Sequence, residues 1–163
     1  MAKKIDKTNA ARLLDKAKIE YELIPYTVDE NNLAATHVAE ELGEDIATVF
    51  KTLVLRGDRN GLFVCVIPGD HEVDLKAAAR ISANKKADLI AMKELLPTTG
   101  YIRGGCSPIG MKRPLPTYIH ASCLEHERIY ISAGIRGLQI AINPNALIEY
   151  CKATVAELSQ PMA

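Results

Sequence analysis

Three stretches of the chain place chemically useful groups where ordinary packing does not ask for them. In Ala47–Leu55, ATVFKTLVL, the ammonium group of Lys51 interrupts a run that otherwise reads as a β-strand. Strand side chains alternate between faces, so Lys51 shares a face with Val49, Leu53 and Leu55. By itself this reads as a lysine on an edge strand, its stem covering apolar surface while its head reaches water. The second stretch, Gly100–Gly110, reads GYIRGGCSPIG, with four glycines and a proline. Its freed backbone N–H groups can hold an anion or a developing oxyanion; the plainer reading is a long connection built from turns. The third, SAGIRG at 132–137, precedes the apolar LQIAI and by itself reads equally well as a tight turn.

Familiar catalytic sets do not occur in the sequence. There is no HExxH, GxSxG, GxGxxG or GxxxxGK[ST]. The four cysteines (Cys65, Cys106, Cys123, Cys151) form no CxxC. His37 falls in a helical pattern and His120 ends a strand. Cys106 lies three residues from Arg103 in the glycine loop, and reads either as an activated thiol or as a small packing residue.

The elements that must position these groups are an irregular mixture of helices and strands. Thr8 is placed to cap a helix with Ala10, Leu13, Leu14 and Ala17 on one face. YELIPYTV (21–28) reads as an extended segment, and LAATHVAEELG (33–43) as a helix stopped by Gly43. Val49–Arg56 and Leu62–Pro68 flank GDRNG and predict a hairpin. Asp74 caps LKAAARIS, ADLIA is a short strand, and MKELLP follows it. TYIH (117–120), RIYIS (128–132) and LQIAI (138–142) are further strands, the first two flanking a short helix near Cys123. Asn143 and Pro144 open a last helix. No regular βαβ alternation appears, which predicts an α+β fold: a mixed β-sheet with flanking helices, in one domain over residues 1–163.

At 163 residues and 48% apolar content the chain is sufficient for one packed core. Its charged start and short apolar runs predict a cytoplasmic protein without a membrane span. Net charge is zero, yet residues 76–113 hold eight basic side chains and two acids, a net +6 against −6 for the remainder. Such a segment suits a polyanion bound at one face, or is an ordinary solvated surface; sequence clustering leaves both open.

In combination, VFKTLVLR, DLKAAAR, GYIRGGCSPIGMKRPLPTYI and YISAGIRGLQIAINPNAL resemble the YbaK/EbsC family of Cys-tRNA(Pro) deacylases, in order over nearly the whole chain. The resemblance implies a trans-editing enzyme that removes cysteine mischarged onto tRNA(Pro), acting alongside prolyl-tRNA synthetase and needing no cofactor or metal. It makes Lys51 the catalytic lysine of the cleft. It places Tyr26, Gly104, Gly105, Ser107, Ser132 and Gly134 around the substrate, with Gln139 where relatives often carry aspartate. It further implies substrate-assisted chemistry, the cysteinyl thiol attacking its own ester carbonyl to release a thiolactone. Cys106 is then a pocket or packing residue. Gln139 keeps another mischarged substrate open, such as Ala-tRNA(Pro), and the basic segment keeps open a non-catalytic module that binds tRNA or the synthetase.

Overall fold

The computed structural model describes residues 5–162. Helix α1 (Asn9–Lys16) is capped by Thr8, whose Oγ1 accepts the Ala11 N–H at 3.3 Å. Strand β1 (Tyr21–Pro25) follows, then α2 (Ala35–Leu42), which ends where Gly43 turns left-handed. Strands β2 (Phe50–Gly57) and β3 (Gly61–Pro68) form the expected antiparallel hairpin. Its tip is held from outside, because Asn84 Oδ1 accepts the N–H groups of Arg59 and Asn60 at 2.9 and 2.7 Å.

Next come β4 (His71–Val73), α3 (Leu75–Ile81) capped by Asp74, β5 (Ala87–Leu89) and α4 (Met92–Thr99). Beyond the glycine loop lie β6 (Thr117–His120), a 3-10 turn over Ala121–Glu125, β7 (Ile129–Ser132) and β8 (Leu138–Ile142). Helix α5 (Pro144–Cys151) starts on the Asn143 cap and is followed by β9 (Thr154–Ala156) and β10 (Ser159–Pro161).

Two sheets carry the architecture. The larger runs β5-β2-β3-β6-β9, antiparallel across its first three strands and parallel across its last three, so it is mixed as the element order predicts. The smaller, β1-β8-β7, is wholly antiparallel. Strands β4 and β10 pair separately and tie the segment after β9 to the rest. The main core lies between the sheets: Phe50, Val54, Val64, Val66 and Ile119 face Ile129, Ile131, Leu138, Ile140 and Ile142, with Leu14 and Leu147 closing the ends. A second layer sets Leu55, Phe63, Cys65 and Ile67 against Ala78 and Ala79 of α3.

Alternation along β2 therefore sends Phe50 and Val54 inward and gives Lys51 the opposite face, shared with Leu53 and Leu55. Val49, one residue before the strand, packs instead with Val38, Ala39, Tyr130 and Ala141. Val49 also makes an isolated parallel β-bridge with Tyr130, and there the two sheets touch along β2.

Candidate active site

The position of Lys51 follows from how β2 is paired. One side of the strand is fully laddered to β3. On its other side, β7 reaches Val49 and β5 begins at Leu55, and no described strand pairs with the stretch between. Ile90, just after β5, still donates its N–H to the Val54 carbonyl at 3.1 Å, so residues 50–53 form a local sheet edge inside the molecule, and a cavity of about 640 Å³ opens there. One wall is β2 itself, including Phe50, Lys51 and Thr52; the facing wall includes Ser132 and Gln139. Those two residues are ladder partners in β7 and β8, which is why they arrive side by side. Arg103, Gly104 and Cys106 of the glycine loop, together with Leu33–Thr36 at the start of α2, complete the enclosure.

Lys51 is half-buried in this wall. Burial lowers its pKa below the ordinary lysine value, and the Asp70 and Glu72 carboxylates pull partly the other way. Two uncharged oxygens complement it. Thr52 is 9% exposed and Gln139 5%, and neither Thr52 Oγ1 nor Gln139 Oε1 has a hydrogen-bond partner in the protein. Buried polar atoms are ordinarily satisfied, so two unsatisfied oxygens on facing walls of the cavity mark acceptor positions for a ligand donor. Ser132 differs, its Oγ accepting the Gly134 N–H at 3.1 Å. The Cys106 thiol is pushed up to about 12 by burial, which keeps it protonated at neutral pH.

The matched family decides the class of the site. Residues 29–150 match the aminoacyl-tRNA editing domain. An Enterococcus faecalis protein provisionally named Cys-tRNA(Pro)/Cys-tRNA(Cys) deacylase EbsC is 45% identical over 161 residues, covering 98% of each chain. This chain belongs to the aminoacyl-tRNA editing family. A proline–tRNA ligase of Fervidobacterium nodosum contains a stretch 29% identical over 82 residues, spanning 50% of this chain and 14% of the ligase. A solved structure provisionally described as a trans-editing enzyme for prolyl-tRNA synthetase has the same fold, with a TM-score of 0.80 at 22% identity, covering 95% of this chain and 99% of that one.

Within this editing domain, the residues singled out in the sequence divide into two groups. Lys51, Gly104, Ser132 and Gln139 line the cavity together. Tyr26, Gly105, Ser107 and Gly134 are not among its lining residues, and each has a local structural task. Tyr26 is half-buried and gives its backbone N–H to Gly137 O at 2.9 Å. Ser107 is fully buried and accepts the Ile109 N–H at 3.2 Å. A Cβ on Gly105 would stand 3.2 Å from the Ile135 backbone, so this glycine lets the two glycine loops touch. Gly134, at φ +106°, packs against Tyr101.

Thr52 and Arg103 are lining residues that sequence reasoning passed over. The signal for Thr52 was its place beside Lys51 on a strand with a free edge; that freedom exists only in the assembled sheet. Of the basic segment, Arg103 reaches the cavity, whereas Lys76 and Arg80 ride on α3 over the second core layer. Among the described residues no three His, Cys, Asp or Glu side chains cluster as metal ligands, and no helix is long and apolar enough to cross a membrane.

Proposed function

We propose that this protein deacylates cysteinyl-tRNA(Pro) at the Lys51 cavity, by a reaction in which the substrate supplies its own nucleophile. The observation that carries the reading is the make-up of the cavity wall. It offers a cation at Lys51, a second at Arg103, acceptors at Thr52 and Gln139, and a backbone bend at Gly104, while the Cys106 thiol stays protonated. These groups bind, orient and stabilise charge. The name of the Enterococcus faecalis relative supports cysteine on tRNA(Pro) as the substrate.

In the proposed reaction the cysteinyl sulfur forms a bond to its own ester carbonyl carbon. The bond from that carbon to the ribose oxygen breaks, and the thiol proton ends on the ribose hydroxyl. The products are a cysteine thiolactone and free tRNA. Gly104 backbone and Lys51 stabilise the oxyanion formed on the carbonyl oxygen, because a fixed cation or N–H in a water-poor site is worth more than the same group in water. Thr52 and Gln139 accept hydrogen bonds from the α-amino group and hold the thiol within reach of the carbonyl. Tyr26, Gly105, Ser107 and Gly134 act behind the wall, by fixing the loops that carry Gly104 and Ser132. The 163 residues work as one editing unit, and a transient complex with prolyl-tRNA synthetase delivers the mischarged tRNA before it diffuses away.

The test is cleavage of pre-formed Cys-tRNA(Pro), with Ala-tRNA(Pro) and Pro-tRNA(Pro) alongside, by the natural protein and by Lys51→Ala. Cysteine-selective release that vanishes in the variant supports the proposal. Preferential cleavage of the alanyl ester instead points to Gln139 and a shifted substrate. A folded protein that cleaves none of the three is a binding module, not a deacylase.

A further inference from the structure

We infer that Glu30 and Arg136 form a latch that sets the shape of the substrate cavity, with Arg136 a positioning residue for the deacylation proposed above, on which its kinetic consequence rests. Arg136 Nη1 donates to Glu30 Oε2 at 2.6 Å, and Arg136 Nε donates to the Arg103 carbonyl at 2.8 Å. The two acceptors belong to different loops. Glu30 lies between β1 and α2, in the segment whose Leu33 and Ala34 line the cavity. Arg103 and the Gly104 that follows it line the cavity as well. Arg136 itself sits in the β7–β8 turn, between Ser132 and Gln139 of the facing wall. One side chain thus joins three stretches of wall.

Neither Glu30 nor Arg136 is a lining residue, so contact with substrate does not explain why they pair. The packing around them is close: a Cβ on Gly104 would stand 3.3 Å from Arg136 Nε and 3.4 Å from Leu33 Cδ2. A guanidinium is suited to the task because its donors diverge in a rigid plane and hold two acceptors at once, whereas an ammonium is a point charge on a flexible stem. Arg136 is 27% exposed and Glu30 70%, so the pair can be broken from the solvent side without opening the core.

Breaking the latch leaves a fraction of molecules with both loops seated, and substrate must select that fraction. The apparent affinity then weakens by the inverse of the fraction, while turnover of bound substrate is kept. A residue that only supports folding behaves differently: it reduces the number of active molecules, lowering kcat at constant KM. Global electrostatics also act against the expected result for Glu30. Removing a carboxylate strengthens attraction for a polyanion such as tRNA, which by itself lowers KM.

The experiment compares Glu30→Gln, Arg136→Lys, Arg136→Ala and the Glu30→Gln/Arg136→Ala double variant on Cys-tRNA(Pro), with amide hydrogen exchange measured on the same proteins. Glu30→Gln is expected to raise KM about fivefold with kcat within about twofold, and Arg136→Ala to raise it more, about twentyfold. Arg136→Lys falls between the two, and the double variant is no worse than Arg136→Ala. In Glu30→Gln the Ala34 and Gly105 amides exchange faster while Ile140 in β8 stays protected. A fall in kcat at unchanged KM, a double variant with additive losses, or unchanged exchange at Ala34 and Gly105 overturns the latch. If the natural protein cleaves no ester but exchange responds as described, the deacylase reading falls and the latch stands.

Discussion

The backbone N–H of Leu158 donates to Nδ1 of His120 at 3.1 Å, a bond that requires this nitrogen to be unprotonated. It anchors the segment between β9 and β10. His120 is buried, and burial is the main cause of its lowered pKa. Glu157, whose Oε2 lies 3.5 Å from Nε2, raises it; the nearby His71 lowers it; Glu125 raises it by less. The unfolded chain, with a histidine near pKa 6.5, therefore binds more protons than the folded one in mild acid. The His120 contribution to stability is present above about pH 6.5 and is lost as pH falls through the depressed folded value. Urea midpoints measured between pH 7.5 and 5 should fall for the natural protein and fall less steeply for His120→Asn, which keeps an acceptor but does not titrate. Equal slopes would show that His120 is not the responsible group.

Lys51→Met is expected to separate function from stability. Deacylation should drop by about a hundredfold or more, as happens when a fixed charge that stabilises an oxyanion is removed. The same variant should melt higher at neutral pH, because a half-buried ammonium gives way to an apolar side chain of similar length. The sign follows from linkage. A lysine lowered in the folded state binds fewer protons there than in the unfolded chain, so natural stability rises with pH between the lowered value and about 10.4. The thermal advantage of Lys51→Met should shrink across that window. An advantage independent of pH would mean that desolvation of the charge is not its source.

Cys106→Ala should keep activity within about twofold, because a thiol held near 12 supplies almost no thiolate at neutral pH. An S-methylcysteinyl ester should resist the natural enzyme, since its sulfur can no longer lose a proton. Loss of activity in a folded Cys106→Ala protein would transfer the nucleophile from substrate to enzyme.

Two substitutions address the unsatisfied oxygens. Thr52→Val preserves shape and removes a buried hydroxyl without a partner. It should leave the melting temperature unchanged or raised while kcat/KM falls about tenfold, the loss of roughly one hydrogen bond to a charged group. Gln139→Asp places a carboxylate at a 5% exposed position, which should lower thermal stability. In mild acid, where the ester's α-amino group carries its proton, the same variant should raise kcat/KM several-fold. An unchanged kcat/KM at pH 6.5 would remove Gln139 from recognition of the amine.

Much of the frame was legible because its signals are local. Thr8, Gly43, Asp74 and Asn143 cap or stop helices through bonds to residues two to four positions away, and LQIAI occupies β8 from end to end. Strands β4, β9 and β10 escaped notice: each is three residues long and exists only because a partner distant in sequence receives it. The site was half legible. Lys51 stood out as a charge in an apolar run, and its free-edge environment is real, though internal to the fold. Loop composition could not separate Gly104, which lines the cavity, from Gly105, Ser107 and Gly134, which brace it. Neighbouring glycines look alike until the opposing loop is in place.

The bridge between Val49 and Tyr130 is where two sheets stop being joined, like the stop on a half-open zip. The chamber beyond it exists because strands there go unpaired, with no hollow carved from the core. Its dimensions are therefore set by where the stop falls. Advancing the closure by one repeat takes up two residues of β2, about 7 Å of chamber length, while every side chain keeps its face. Retreating by the same step lengthens the chamber just as abruptly. A protein built this way has its chamber length fixed at the seam between two sheets, with Ile131 and Ile140 of the core untouched underneath.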